Sequence, residues 1–418
     1  MEIDPVLEAF EKLRVREVRA EEYRNASVFL AKFQSAAASL EPDERIKLTV
    51  TQTRANIKSL KAVLSDPQAS KICALEWKYL GKEDVNCITP LLNNCPELAL
   101  LDVYFNHHSA FDFVSSVLEH PSNKIKVLVM PPNTEGDSAR FFAALGQSQV
   151  SALTLCYFPK FNQDLFEYLA RDLLVRLEVW MSYKRVPLKM MMSLATCTRL
   201  AKLKMVQCEF SQPTAFTHLP KSITKLILNS CTFVDGFDWS FLADSNMREL
   251  DLYDVKGVDG NQLGVALAAH LREKGLDKLC LDFCNFVNVT LTVVGVELGR
   301  IKRLDIDGPF NDASFAQIAL ALQAPNSEMR ELKLEYYYNT MSGIENHLML
   351  ALRHPNCNLA KLSLLAHQHG EAARSVESKF RNRRALFALL QGQQVRRLYC
   401  PLRRLPVEML RLVGMALI

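Results

Sequence analysis

The hexapeptide Met247–Leu252, MRELDL, returns almost unchanged at Met329–Leu334 as MRELKL. Two near-copies constrain a fold only when others fall between and around them at a regular interval, and here they do. The pattern apolar-x-x-Leu-x-apolar recurs as ICALEW from Ile72, LALLDV from Leu98, IKVLVM from Ile125 and VSALTL from Val150. It continues as LVRLEV from Leu174, LAKLKM from Leu200, ITKLIL from Ile223 and MRELDL itself. LDKLCL from Leu276, IKRLDI from Ile301, MRELKL, LAKLSL from Leu359 and VRRLYC from Val395 complete the series. A weaker copy, RIKLTV, begins one period upstream at Arg45. The thirteen full matches are spaced 23 to 36 residues apart, about 27 on average, which restricts the chain to a repeat architecture.

Each match alternates like a short strand, with two apolar side chains on one face and the residue between them on the other. Between matches lie apolar residues at helical spacing, among them Phe111, Phe113, Val114 and Val117, and Leu263, Val265, Leu267 and Leu271. One strand and one helix cannot enclose a core, but stacked copies can, as a parallel sheet with helices over one face. Helices are about 10 Å wide and strands pair at about 4.8 Å, so such a stack bends with its helices outside. The expected fold is an α/β horseshoe with an open sheet face on its concave side and helices on its convex side.

This repeat resembles the leucine-rich-repeat family, in particular its ribonuclease-inhibitor-like class with helix-containing repeats. The family signature ends in Asn or Cys three residues after the last apolar anchor; here that slot holds Asn106, Asn133, Cys208, Cys231 and Cys284. Leu80, Phe158, Ser182, Val255, Pro309, Tyr337 and His367 occupy it elsewhere. The resemblance implies a right-handed solenoid of about 13–14 repeats over residues 45–418, including a C-terminal cap. Helices are expected to shorten where the step is short, between Leu200 and Met247. Residues 1–44 carry no repeat, and Val6, Phe10, Leu13 and Val15 stand near helical spacing. They are read as an N-terminal helical cap over the apolar end of the stack, and the chain as one elongated domain.

A net charge of +4 is too small to argue for nucleic acid as a bulk partner. The acidic start MEIDPVLEAFEK lacks the apolar run of a secretory signal, and no stretch of 18 apolar residues suggests a membrane span. There are eleven cysteines, an odd number without a C-x-x-C pair, and more than half sit at positions set by the repeat. That usage points to reduced thiols in a cytosolic or nuclear compartment. No phosphate-binding, dinucleotide, zinc-protease or serine-hydrolase motif occurs. His107-His108 and the pair His367 and His369 are read as loop residues, not metal ligands, and Cys280 has the acidic neighbours Glu249, Asp251 and Asp282, which oppose a reactive thiolate. No catalytic residue, cofactor or metal is expected.

The side chains of the open sheet face are free of core packing, so their chemistry reports on what they meet. From the eighth repeat they read Glu249, Asp251, Tyr253; Lys278, Cys280, Asp282; Arg303, Asp305, Asp307; and Glu331, Lys333, Glu335, seven acids and three bases. Earlier rows are apolar or basic, and aromatic residues gather where strands end, including Tyr104, Trp180, Tyr253, Phe283 and Tyr336. Exposed aromatics within mixed charge are effective protein-binding anchors. The expected function is a non-enzymatic, monomeric scaffold that binds another protein with a basic surface in the concave face. Its expected anchors are Tyr104, Trp180, Glu249, Asp251, Tyr253, Asp282, Asp305, Asp307, Lys333, Glu335 and Tyr336. Two alternatives stand beside it. The closing LPVEMLRLVGMAL resembles the opening helix of an F-box, which implies the substrate-receptor subunit of a ubiquitin ligase. The phrase HPNC, His354–Cys357, resembles repeats at the ligand-binding ends of NOD-like receptors, which implies an effector or innate-sensor module.

Overall fold

The computed structural model describes residues 14–19, 26–41, 44–51, 60–80, 88–105, 110–130, 138–156, 172–308, 311–336, 347–366 and 378. The chain divides into two compact units, Met1–Leu226 and Ile227–Ile418. The first contains β1 (Arg14–Arg19), α1 (Ala26–Ala38), β2 (Glu44–Thr51), β3 (Ile72–Leu80), α2 (Ile88–Asn94), β4 (Leu100–Phe105) and α3 (Ala110–Glu119). It continues with β5 (Val127–Met130), α4 (Ser138–Gln147), β6 (Ala152–Cys156), β7 (Arg176–Arg185), α5 (Leu188–Leu194) and β8 (Lys202–Phe210). Strands β1 to β8 pair in chain order, every pair parallel. After β9 (Lys225–Asn229), the second unit contains β10 (Thr232–Phe233), α6 (Phe241–Asp244), β11 (Glu249–Tyr253), α7 (Gly260–Glu273), β12 (Leu276–Asp282) and α8 (Val287–Val294). Then follow β13 (Ile301–Asp307), α9 (Asp312–Gln323), β14 (Glu331–Tyr336), α10 (Met349–Arg353) and β15 (Lys361–Ala366). Strands β11 to β15 again pair in chain order and in parallel.

Each unit repeats parallel strands with helices between them, the α/β arrangement expected of a leucine-rich-repeat solenoid. Every repeat match from Arg45 to Leu359 lies on a strand, and only VRRLYC at Val395 falls outside the described residues. Within each strand the alternation decides which side chain is buried. Leu250, Leu252, Leu279, Leu281, Leu304, Ile306, Leu332 and Leu334 are all core residues. The helices contribute their own apolar stripes, and α3 packs on α4 as α7 packs on α8.

One element departs from expectation. The segment read as a helical cap contains the strand β1, which pairs with β2 over six residues. In RVREVR the two valines stand three apart, which favours a helix; on the strand they fall on opposite faces, Val18 buried and Val15 exposed. The parallel edge of β2 decides for the strand, because its backbone groups need a partner. Side chains reinforce the choice: Arg16 pairs with Glu44 at 3.1 Å, and Thr49 Oγ1 donates to Glu17 at 3.0 Å.

Where the step is short, between Leu200 and Met247, aromatic packing takes the place of a long helix. The 3-10 turn Ala215–His218 sets Phe216 edge-on to Phe210 at 4.8 Å, and in the second unit Phe233, Phe237 and Trp239 form a buried cluster. His270 of α7 joins that region to β11, with Nδ1 2.8 Å from the Leu242 carbonyl and Nε2 2.9 Å from that of Met247.

Two devices join repeat to repeat. At the strand ends Gln207, Ser230, Asp254 and Phe283 take left-handed backbone conformations, with φ between 47° and 54°. In the second unit this turns each amide onto the next strand: Ser230 N donates to Tyr253 O, Asp254 N to Asp282 O and Phe283 N to Asp307 O, each at 2.8 Å. The signature slot follows immediately, and the thiols of Cys208, Cys231 and Cys284 each donate to the carbonyl two residues back, at 3.3–3.4 Å. At the opposite ends, a polar side chain shortly before a strand caps the carbonyl end of the preceding repeat's helix. Lys71 reaches Ala37 O at 2.7 Å, Asn94 reaches Leu64 O at 2.6 Å, Lys274 reaches Ser245 O at 2.6 Å and Asn356 reaches Gln323 O at 2.9 Å. Arg300 does the same for Arg272 O. The HPNC phrase therefore builds a turn and a cap: Cys357 N donates to His354 O, and Asn356 holds the previous helix.

Repeat spacing also sets how close helices approach. A Cβ on Gly264 of α7 would lie 2.7 Å from Val293 Cβ on α8. Gly264→Ala should therefore destabilise the second unit by about 1–3 kcal/mol through overpacking. Val265→Ala, at an exposed position one residue along, should stay within about 0.5 kcal/mol of wild type in urea unfolding.

Candidate functional site

On the open face of the second unit, strand register brings side chains into three straight rows about 4.8 Å apart. Glu249, Lys278, Arg303, Glu331 and Lys361 form the first, and Asp251, Cys280, Asp305, Lys333 and Ser363 the second. Tyr253, Asp282, Asp307 and Glu335 form the third. The expected wall residues Glu249, Asp251, Tyr253, Asp282, Asp305, Asp307, Lys333 and Glu335 thus stand side by side.

Most of its charge is matched within the wall. Lys278 Nζ is 2.8 Å from Asp251, and Lys333 Nζ lies 3.3 Å from Asp305 and 3.6 Å from Glu335. Arg303 lies 3.4 Å from Asp305 and 3.8 Å from Glu331, which in turn faces Lys361 at 4.0 Å. Arg303 of the same strand and Lys333 of the next cover Asp305, which retains only 6% exposure, and Asp307 retains 5%. Their surface is smaller than alternation alone implies. Burial competes with the carboxylates around Lys278 and Lys333, and the balance holds both ammonium groups in their charged form, with raised pKa values.

Asp282 stands apart. Among the described residues it makes no ion pair. Burial raises its pKa, the Cys280 thiol beside it opposes that shift, and Asp305 adds to it. Cys280 is pushed up in turn, first by burial and then by Asp282, so its thiol is the opposite of an activated nucleophile. Beside Asp282, Tyr253 and Phe283 expose 40% and 45% of their surface. Their rings meet edge to face with centroids 5.3 Å apart.

The first unit's open face is organised around Glu178, which is 8% exposed. It accepts a hydrogen bond from Trp180 Nε1 at 2.7 Å and faces Lys204 at 2.7 Å and Arg176 at 4.0 Å. Lys204 also lies over the Trp180 ring, 5.4 Å from its centroid. Trp180, expected as an anchor, therefore has its indole N–H and one ring face engaged inside its own unit. Tyr104 sits on β4 in register with Lys78, and Tyr336 on β14 in register with Ala366.

Sequence reasoning placed the wall but not its internal pairing. Glu178 as a hub, and Lys278 and Arg303 as partners of particular acids, depend on which strand lies next to which. The signal was there in part: like positions of successive repeats become neighbours. Burial of thiols also extends beyond the wall, with Cys73 pushed up to about 11 and Cys95, Cys156 and Cys284 to about 12. The nine described cysteines are free thiols. Among the described residues no group of three potential ligands could hold a metal ion, and no helix is long and apolar enough to cross a membrane. His107, His108, His367, His369, the basic stretch after His369 and the closing LPVEMLRLVGMAL lie outside the described residues.

No protein-family model matches the sequence, and no curated protein matches it. Solved structures of low likeness exist. TLR13 in its complex with ssRNA13 shares 13% identity at a TM-score of 0.40, over 78% of this chain and 52% of that one. PEPR1 with AtPEP1 shares 12% at a TM-score of 0.34, over 85% and 52%. The plant peptide hormone receptor RGFR1 with RGF2 shares 12% at a TM-score of 0.24, over 77% and 55%. The chain spans about half the length of each of these structures.

Two outcomes follow from the charge geometry. Glu178→Ala should leave Lys204, Arg176 and the Trp180 N–H short of their partner, at a cost of about 1–3 kcal/mol. Trp77 and Trp239 are buried, so increased acrylamide quenching of tryptophan fluorescence would report release of Trp180. Asp282 has a folded pKa above its unfolded value, so its ionisation costs stability as pH rises past the unfolded pKa. Asp282→Asn should therefore raise resistance to urea at pH 7, with the gain shrinking as pH falls towards 4.

Proposed function

We propose that this protein is a non-enzymatic recognition scaffold that binds a partner protein across the open sheet face of its second unit. The observation that supports this reading is the in-register wall: three rows of mostly charged and aromatic side chains, aligned by backbone pairing. Side chains already held by strand register and ion pairs lose little freedom when a partner arrives, which favours binding without new ordering. Seven acids against three bases in the twelve wall positions of β11 to β14 favour a partner with a basic surface. The free, deeply protonated thiols suit a reducing compartment, and the cytosol or nucleus is the proposed location.

The face can be tested directly. A photo-crosslinking p-benzoylphenylalanine placed at Glu331, on the wall, should capture a partner in native extract. The same residue at Val265, on the exposed side of α7, should not. Capture from position 265 in preference to 331, or equal capture from both, would remove the wall from the proposal.

A further inference from the structure

Building on that reading of the wall, we infer that the Tyr253–Phe283 ring pair and the Asp282 carboxylate form a seat for a single arginine side chain of the partner. The rings are exposed and meet edge to face at 5.3 Å, at the end of the wall where the third row begins. Asp282 is the immediate cross-strand neighbour of Tyr253 and is followed in sequence by Phe283. It makes no ion pair among the described residues, although the wall supplies cations to Asp251, Asp305 and Glu335. Lys278 is held by Asp251 at 2.8 Å, and Lys333 by Asp305 at 3.3 Å. The row beyond continues through Asp307 and Glu335, so the local field is negative.

A guanidinium matches these groups better than any other common side chain. It is planar and weakly hydrated, so one face can lie on an aromatic ring while its edge donates to a carboxylate. An ammonium could satisfy the charge but would present no flat face to the rings. The seat is rigid from below: Phe283 N donates to Asp307 O, and Tyr253 O accepts from Ser230 N, each at 2.8 Å. Asp251, Asp305, Glu331 and Glu335 are occupied by their own bases and serve as rim.

The probe is a blocked pentapeptide, Gly-Arg-Gly-Arg-Gly, compared with its lysine and glutamine counterparts, each titrated into the full chain and followed by calorimetry or NMR. The arginine peptide should bind at least several-fold more tightly than the lysine peptide, and the glutamine peptide should not bind measurably. Asp282→Asn should weaken arginine-peptide binding about tenfold or more, and Phe283→Ala and Tyr253→Ala about fivefold each, while Glu273→Gln, at the exposed end of α7, changes it less than twofold. Because Asp282→Asn is expected to stabilise the fold, its loss of binding cannot be ascribed to unfolding. Equal binding of the arginine and glutamine peptides, or an effect of Glu273→Gln as large as that of Asp282→Asn, overturns the seat. If position 331 still captures a partner while the seat variants leave that capture and peptide binding unchanged, the arginine seat fails and the recognition wall stands. If position 331 captures nothing while the arginine peptide binds as described, the seat stands and the wider wall fails.

Discussion

A parallel strand can satisfy its backbone only through the strands beside it, and that requirement organises everything else here. Successive repeats supply the partner at the correct register, so each strand exists because the previous one has an edge to complete. The effect reaches past the sheet. Left-handed residues at the strand ends extend the ladder by one more amide, and Lys71, Asn94, Lys274, Arg300 and Asn356 extend it to the helix ends. A helix leaves its last carbonyls unpartnered, and in this protein the next repeat satisfies them. A repeat is therefore completed on both sides of its core by its neighbour.

The same register determines the chemistry of the wall. Like positions of successive repeats become cross-strand neighbours, so the order of charges along the chain becomes a two-dimensional pattern. Glu249 beside Lys278, or Asp305 beside Lys333, places opposite charges directly across a strand pair, which stabilises the sheet, whereas like charges there would weaken it. Much of the wall's charge is spent on this internal pairing. Partly buried ion pairs hold geometry but keep part of their desolvation cost, so they contribute more to the shape and selectivity of a surface than to its affinity.

The repeat was legible because Leu-x-Leu alternation and a period near 27 residues each restrict the fold, and together they leave one architecture. Cys208, Cys231 and Cys284 were legible for the same reason, since their slot is defined by distance from the anchors. β1 was not: two valines three residues apart favour a helix, and the deciding partner, β2, lies 30 residues on. The side-chain caps were hidden too, because Lys, Arg and Asn fill that role at slightly different offsets. In the wall, the identities of outward residues could be read directly, but their exposure could not. Asp305 and Asp282 occupy neighbouring strands, yet one lies beneath Arg303 and Lys333 while the other has no ion pair among the described residues.

That contrast bears on where function resides. A surface under no demand but solubility would be expected to pair its half-buried acids. Over most of the wall the protein follows that rule. At Asp282 it does not: this carboxylate makes no ion pair among the described residues and is followed by Phe283, whose ring is exposed. A partly buried carboxylate without an ion-pair partner costs stability. Local departures from the rules that otherwise govern a fold concentrate where a structure must meet something outside itself. The compensation for that cost is available to a partner that brings a cation to the carboxylate and a flat face to the rings.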